Sequence, residues 1–181
     1  MSRAGAQVGD LVFVTGSIGD GLLGLRAARG ELALDEERIA ALIDHYRTPT
    51  PRLDFAPVVR EFATASVDVS DGLAADLAHV ARASGAAIML NLNVLPLSAA
   101  AQAWFDDRVD AQLSLEDLAG GGDDYQIAFT AHPRHEESLR REAERRLVRL
   151  TRVGEVTAGV GLTATYDGRP VQMARPGWTH G

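Results

Sequence analysis

Val67-Asp68-Val69-Ser70-Asp71-Gly72-Leu73 reads as the end of a strand, an acidic loop and the start of a helix. Residues 65–69 have the apolar, β-branched character of a buried strand. Gly72 and Leu73 open a helical pattern that runs to Ser84. A strand that feeds a helix through a short polar loop is the repeating unit of layered α/β domains. The loop itself has two readings. In one, Ser70 or Asp71 caps the helix, a common use of those side chains. In the other, the N–H groups at the helix start attract an anion, and carboxylate oxygens hold a hard divalent cation. Asp68 favours the second reading, because a carboxylate within an apolar strand is costly unless paired or metal-bound.

The flanking sequence fits the same architecture. Upstream, residues 11–15 are a short β-rich run closed by Gly16. Residues 21–29 and 35–46 are predicted helices, the second with Ile39, Leu42 and Ile43 at helical spacing and stopped by Pro49 and Pro51. Residues 55–64 are predicted as a further helix. Downstream, the pattern predicts a strand at 87–92, a helix at 97–107 and a Gly-rich break at 120–122. A strand at 125–130, a charged helix at 134–146, strands at 149–156 and 161–166, and a turn at Asp167-Gly168 follow. This alternation predicts an α/β (α+β) layered domain, a mixed β-sheet packed by helices, with residues 1–181 forming one domain.

Gly120-Gly121-Gly122-Asp123-Asp124-Tyr125 repeats the acidic-loop theme. Glycines let a backbone approach a ligand closely, although an acidic turn alone accounts for the stretch equally well. Two such loops in one small domain favour a shared site. Gly19-Asp20-Gly21-Leu22-Leu23-Gly24 matches G-x-G-x-x-G after a strand. The glycines come late, however, and residues 35–44 read as helix where a dinucleotide fold needs a second strand with an acidic end. Close packing of a helix start, or a loop facing a shared ligand site, explains them better.

Charge and composition narrow the partners. The net charge is −7, from 25 acidic and 18 basic side chains. The densest basic run, Arg140 to Arg146, is interleaved with Glu142 and Glu144, as in a solvated helix face rather than a nucleic-acid surface. An acidic protein that binds phosphates needs help against repulsion, and divalent metal ions are the usual help. There is no cysteine, so disulfides and thiolate metal sites are excluded. No apolar stretch approaches the roughly 20 residues of a membrane span. The first residues lack the apolar core of a secretory signal. A soluble cytoplasmic protein is the natural expectation.

Taken together these segments resemble thiamine-monophosphate kinase, of the superfamily that includes aminoimidazole ribonucleotide synthetase and selenophosphate synthetase. Arg3-Ala4-Gly5-Ala6 with Gly9-Asp10 resembles that family's R-[SA]-G-A-x-x-G-D entry to its carboxy-terminal half. Val14-Thr15-Gly16 with Gly19-Asp20, Pro51-Arg52, residues 67–73 with Asp76, Leu77 and His79, residues 121–125, and Gly177-Trp178 with His180 follow in the family's order. The resemblance implies the carboxy-terminal domain of a kinase that transfers the γ-phosphoryl of ATP to thiamine monophosphate, giving thiamine diphosphate. It further implies that Arg3 contacts ATP, Ser70 touches the nucleotide, and Asp68 and Asp71 each hold Mg2+. Asp123 would contact the thiamine phosphate, and Trp178 would lie against the substrate. A homodimer of the full-length protein is implied, with an amino-terminal half that lies outside these residues and carries most of the remaining metal ligands. The isolated chain is therefore expected to be weakly active or inactive. Gln126 departs from the pattern, which has glutamate there. His79 is expected to be structural. Another ATP-using enzyme of the superfamily and a non-catalytic binding module stand as alternatives.

Overall fold

The computed structural model describes residues 2–173 and Gly177. In chain order the elements are β1 (Leu11–Thr15), α1 (Asp20–Ala28), α2 (Glu36–Arg47), α3 (Ala56–Phe62), β2 (Ala63–Asp68), α4 (Leu73–Ser84) and β3 (Ala87–Asn91). They continue with α5 (Ala99–Asp106), α6 (Ala111–Gly120), β4 (Ile127–Ala131), α7 (Glu136–Arg145), β5 (Leu150–Thr157), β6 (Gly161–Tyr166) and β7 (Arg169–Val171). The strands form one sheet in the order β2-β4-β1-β5-β3-β6-β7. The β3–β6 pair is parallel and the other pairs are antiparallel, so the sheet is mixed, as the alternation predicts.

Side-chain alternation along β1 explains the layering. Val12 and Val14 point to one face and Leu11 and Phe13 to the other, and all are buried. On the first face, Val12 and Val14 join Leu23 of α1, Leu73, Leu77 and Val80 of α4, Trp104 of α5 and Leu118 of α6 in the larger core. On the second, Phe13 stacks on Phe129 with ring centroids 5.5 Å apart, and Phe55 tilts onto Phe129 at 6.4 Å. Val58 and Val59 of α3 and Leu139 and Ala143 of α7 complete that smaller core. A sheet covered on both faces holds its strand ends rigidly, and the loops at those ends inherit the rigidity.

Three details differ from the sequence reading. The helix predicted at 55–64 stops at Phe62, because Thr64 belongs to β2: its Oγ1 lies 2.7 Å from Thr130 Oγ1 and donates to Asp10 Oδ2 at 2.6 Å. The helix α6 was not anticipated; Asp110 caps it by accepting from Leu113 N at 2.8 Å. The short edge strand β7 was also missed, since Pro170 lies within it.

Candidate functional site

The C-terminal ends of β1 and β2 and the N-terminal end of β4 lie side by side, because β4 runs antiparallel to both. The loops 16–20, 69–72 and 121–126 therefore meet at one end of the sheet. Backbone hydrogen bonds knit the last two: Asp123 N donates to Ser70 O at 3.0 Å, Tyr125 N to Val69 O at 2.8 Å, and Val69 N to Gln126 O at 2.8 Å. The approach is too close for side chains. A Cβ on Gly122 would lie 2.4 Å from Ser70 O, and one on Gly21 would lie 2.5 Å from Gly122 O. The same holds for Gly24, where a Cβ would lie 2.3 Å from Leu42 O. The G-x-G-x-x-G glycines thus pack the α1 start against its neighbours.

Two buried carboxylates fasten these loops. Asp124, fully buried, accepts from Gly19 N at 2.8 Å and from Gly21 N at 2.9 Å, tying the β4 loop to the start of α1. Burial pushes its carboxyl up to about 8; the two N–H donors oppose that rise, and the charges of Asp20 and Asp123 add to it. Asp76, in the first turn of α4, reaches back to accept from Ser70 N at 3.0 Å and Asp71 N at 3.1 Å. Its carboxyl is raised by burial, held down by those two bonds, and raised further by the charges of Asp71 and Asp68. Asp20 is likewise buried, accepting from Ser17 Oγ and, at 2.6 Å, from Ser98 Oγ.

The predicted site residues fall around this frame. Ser70 and Asp123 are brought together by the backbone bond between them. Asp123 adopts φ 67°, and its Oδ1 accepts from the Tyr125 hydroxyl at 3.2 Å. Tyr125 is raised first by the charge of Asp123, then by burial and by its hydrogen bond to that carboxylate, with Asp68 and Asp71 adding smaller effects. Asp68 is exposed, which corrects the premise that it is buried: β-alternation sends Val67 into the core and turns Asp68 to the opposite side, where the strand ends beyond the buried Ser66. Arg3, expected at the nucleotide, is exposed and lines a shallow cleft with Asp68, Ser66, Val67 and Ile127. Asp71 groups with Asp76 and His79, each offering one ligand atom, all within 4.8 Å of one another. His79, expected to be structural, thus borders the acidic loop, its Nδ1 accepting from Arg82 Nη2 at 2.9 Å. Trp178 lies outside the described residues. The backbone at Gly177 does reach the loop: a Cβ there would lie 2.9 Å from Asp71 O.

The reading from sequence missed the fastening roles of Asp124 and Asp76. Asp76 carried a legible signal, an acidic side chain in the first helical turn, where it can bond back to preceding N–H groups. Asp124 carried none that separates it from Asp123. Carboxylate oxygens at this density suit a hard cation. One oxygen of Asp76 is taken by two amides, which leaves its other oxygen beside Asp71 and His79; among the described residues Asp68 and Asp123 do not join that group.

The family of AIR synthase related protein, C-terminal domain, matches residues 7–167. The chain belongs to this family. It is 42% identical over 179 residues to a thiamine-monophosphate kinase of Caulobacter vibrioides, covering 99% of this chain and 50% of that protein. The crystal structure of thiamine-monophosphate kinase from Stenotrophomonas maltophilia K279a superposes with a TM-score of 0.81 at 33% identity, covering 94% of this chain and 54% of that one. A structure of AaThiL complexed with AMPPCP and TMP gives 0.78 at 34% identity, covering 98% and 53%. The chain spans about half the length of the curated relatives it matches. No helix among the described residues is long and apolar enough to cross a membrane.

Proposed function

We propose that this chain is the carboxy-terminal domain of an ATP-dependent kinase that phosphorylates thiamine monophosphate to thiamine diphosphate. The observation that carries the proposal is the meeting of two acidic loops, residues 69–72 and 121–126, with the start of α1 at one end of the sheet. That meeting occurs in a chain whose relatives bear the kinase's name, one of them solved with AMPPCP, an ATP analogue, and TMP. The acceptor of this reaction is already an anionic phosphate, so no strong base is required. The obstacle is to bring two polyanions into line, which is a matter of positioning and charge. Asp68 and Asp71 would hold Mg2+, which when bound neutralises phosphate charge and draws the oxygens into place. Ser70 and Arg3 would contact the nucleotide. Asp123, held by Ser70 O and Tyr125, would contact the thiamine phosphate end, and Trp178 would stack on the cationic heterocycle. Asp124 and Asp76 orient these loops without touching substrate.

In this proposal the remaining ligands and a homodimer interface belong to the part of the full-length relatives that this chain does not span, and the enzyme works in the cytoplasm. The test is formation of thiamine diphosphate from ATP and thiamine monophosphate by the polypeptide carrying both halves. Asp71→Asn should lower kcat by about a hundredfold or more, because a metal ligand is worth several kcal/mol at the transition state. Its melting temperature should move by only a few degrees. Unchanged turnover with a lowered melting temperature would leave Asp71 as a structural residue and remove the metal assignment.

A further inference from the structure

The loop between α2 and α3 brings a cation to the acidic end of the sheet. Pro49 and Pro51 restrict its backbone, and Arg52 O accepts from Phe55 N at 3.1 Å, where Phe55 is fully buried in the smaller core. The Arg52 side chain is half-buried, and its Nε donates to Gln126 Oε1 at 3.0 Å. Gln126 is itself immobilised. It is buried, its Oε1 also accepts from Thr15 Oγ1 at 3.1 Å, and its Nε2 donates to Asp124 O at 3.4 Å. Gly16 closes over it, so tightly that a Cβ there would lie 2.2 Å from Oε1. One edge of the guanidinium is thereby pinned at the seam of the two acidic loops, since Gln126 O also receives Val69 N.

The other edge is open. Among the described residues, neither Nη of Arg52 makes a hydrogen bond or ion pair, whereas Arg26, Arg140, Arg141 and Arg146 each bond a carboxylate. Gln126 is neutral, so it fixes the direction of the guanidinium without cancelling its charge. A planar fork of N–H donors, oriented and uncompensated, matches a phosphate oxygen pair. We propose that Arg52 is a phosphate-binding residue of this site and that Gln126 positions it. The identity of the phosphate, that of the nucleotide or that of the acceptor, rests on the kinase reading; the anion binding itself does not.

Isothermal titration of the chain in the absence of Mg2+, with pyrophosphate, ADP and thiamine monophosphate in turn, tests this. Arg52→Ala should weaken pyrophosphate binding about tenfold or more, the loss expected for charge-assisted hydrogen bonds to an anion. Its melting temperature should barely change, because Gln126 keeps its bond from Thr15. Arg52→Lys should restore only part of the affinity, since a point charge cannot reproduce the fork. Gln126→Leu removes the acceptor that holds Nε, so it should weaken pyrophosphate binding less than Arg52→Ala does, and the double variant should bind no more weakly than Arg52→Ala alone. A loss confined to ADP assigns Arg52 to the nucleotide, and one confined to thiamine monophosphate assigns it to the acceptor. Equal affinity of Arg52→Ala and the unaltered chain for every probe overturns the inference. So does an unaltered chain that binds no probe. Pyrophosphate binding that Arg52→Ala weakens, together with no thiamine diphosphate formed by the polypeptide carrying both halves, would uphold the inference and sink the kinase proposal.

Discussion

Replacing Asp124 by Asn should alter how stability depends on pH, and the structure fixes the sign. The folded-state carboxyl is raised to about 8 from its ordinary value of 3.8. A carboxyl raised on folding means that the native state holds a proton the unfolded chain has lost between about pH 4 and 8. The stability contributed by that proton is complete below the unfolded value and is lost as pH rises through the folded one. One such group gives a slope of about 1.4 kcal/mol per pH unit, or roughly 3 kcal/mol between pH 5 and 7. Asn does not titrate. At pH 5 the variant should be less stable by about 1–3 kcal/mol, because its amide meets one of the two glycine N–H groups donor to donor. By pH 8 that deficit should vanish or reverse. At about 2–4 °C per kcal/mol for a chain of this size, the difference in melting temperature should change by roughly 5–10 °C across pH 5–7. Asp76 titrates in the same direction in both proteins, so it cancels from the difference. Thermal melts at half-unit steps from pH 5 to 9 read the effect directly. Curves that run parallel throughout would refute the reasoning, because they would show that Asp124 takes up no proton on folding.

Asp76→Ala leaves the amides of Ser70 and Asp71 without their acceptor and should cost about 1–3 kcal/mol for each bond lost. Asp76→Asn retains an acceptor oxygen and should cost far less, a contrast that urea titration of the two variants resolves. Gly122→Ala forces a Cβ to within 2.4 Å of Ser70 O, so the two acidic loops must separate. Amide exchange at Asp123 and Tyr125, whose N–H groups bond Ser70 O and Val69 O, should quicken while that of Val12 and Phe129 in the sheet centre stays slow.

What could be read from the sequence was whatever local pattern dictates. The strand β1, the helices α1, α2 and α4, and the mixed layered architecture follow from periodicity, prolines and glycines, within a residue or two at their ends. Helix α6 escaped because its apolar positions do not share one face: Leu115 and Leu118 are buried while Leu113 is 57% exposed. The end of α3 was misplaced because α3 and β2 abut without a loop, and only pairing with β4 decides that Ala63 is strand. That the two acidic loops belong together was legible, but not which carboxylate is buried and which faces outward. Asp123 and Asp124 are neighbours of identical chemistry. The positive φ of Asp123 turns one toward the open end of the sheet and buries the other, and that depends on contacts with Ser70 and Gly21 far away in sequence. Asp68 was misjudged for a related reason, since an apolar strand that ends at an open sheet edge need not bury both faces. Gln126 stood out only as a departure from the family pattern, and its contacts with Thr15, Arg52 and Asp124 depend on segments far away in sequence or on the buried loop they share.

The central claim is that residues 68–72 and 120–124 form one site for a metal–phosphate complex. Titrating the isotopically labelled chain with Mn2+ and an unhydrolysable ATP analogue measures this directly, because a paramagnetic ion broadens nearby amide resonances whether or not the chain turns over substrate. The account predicts selective broadening of Ser70, Asp71, Gly122 and Asp123, reversed by excess Mg2+ and abolished in Asp71→Asn. Broadening centred instead on the exposed glutamates of α7, or absent from both loops at saturating metal and nucleotide, would contradict it.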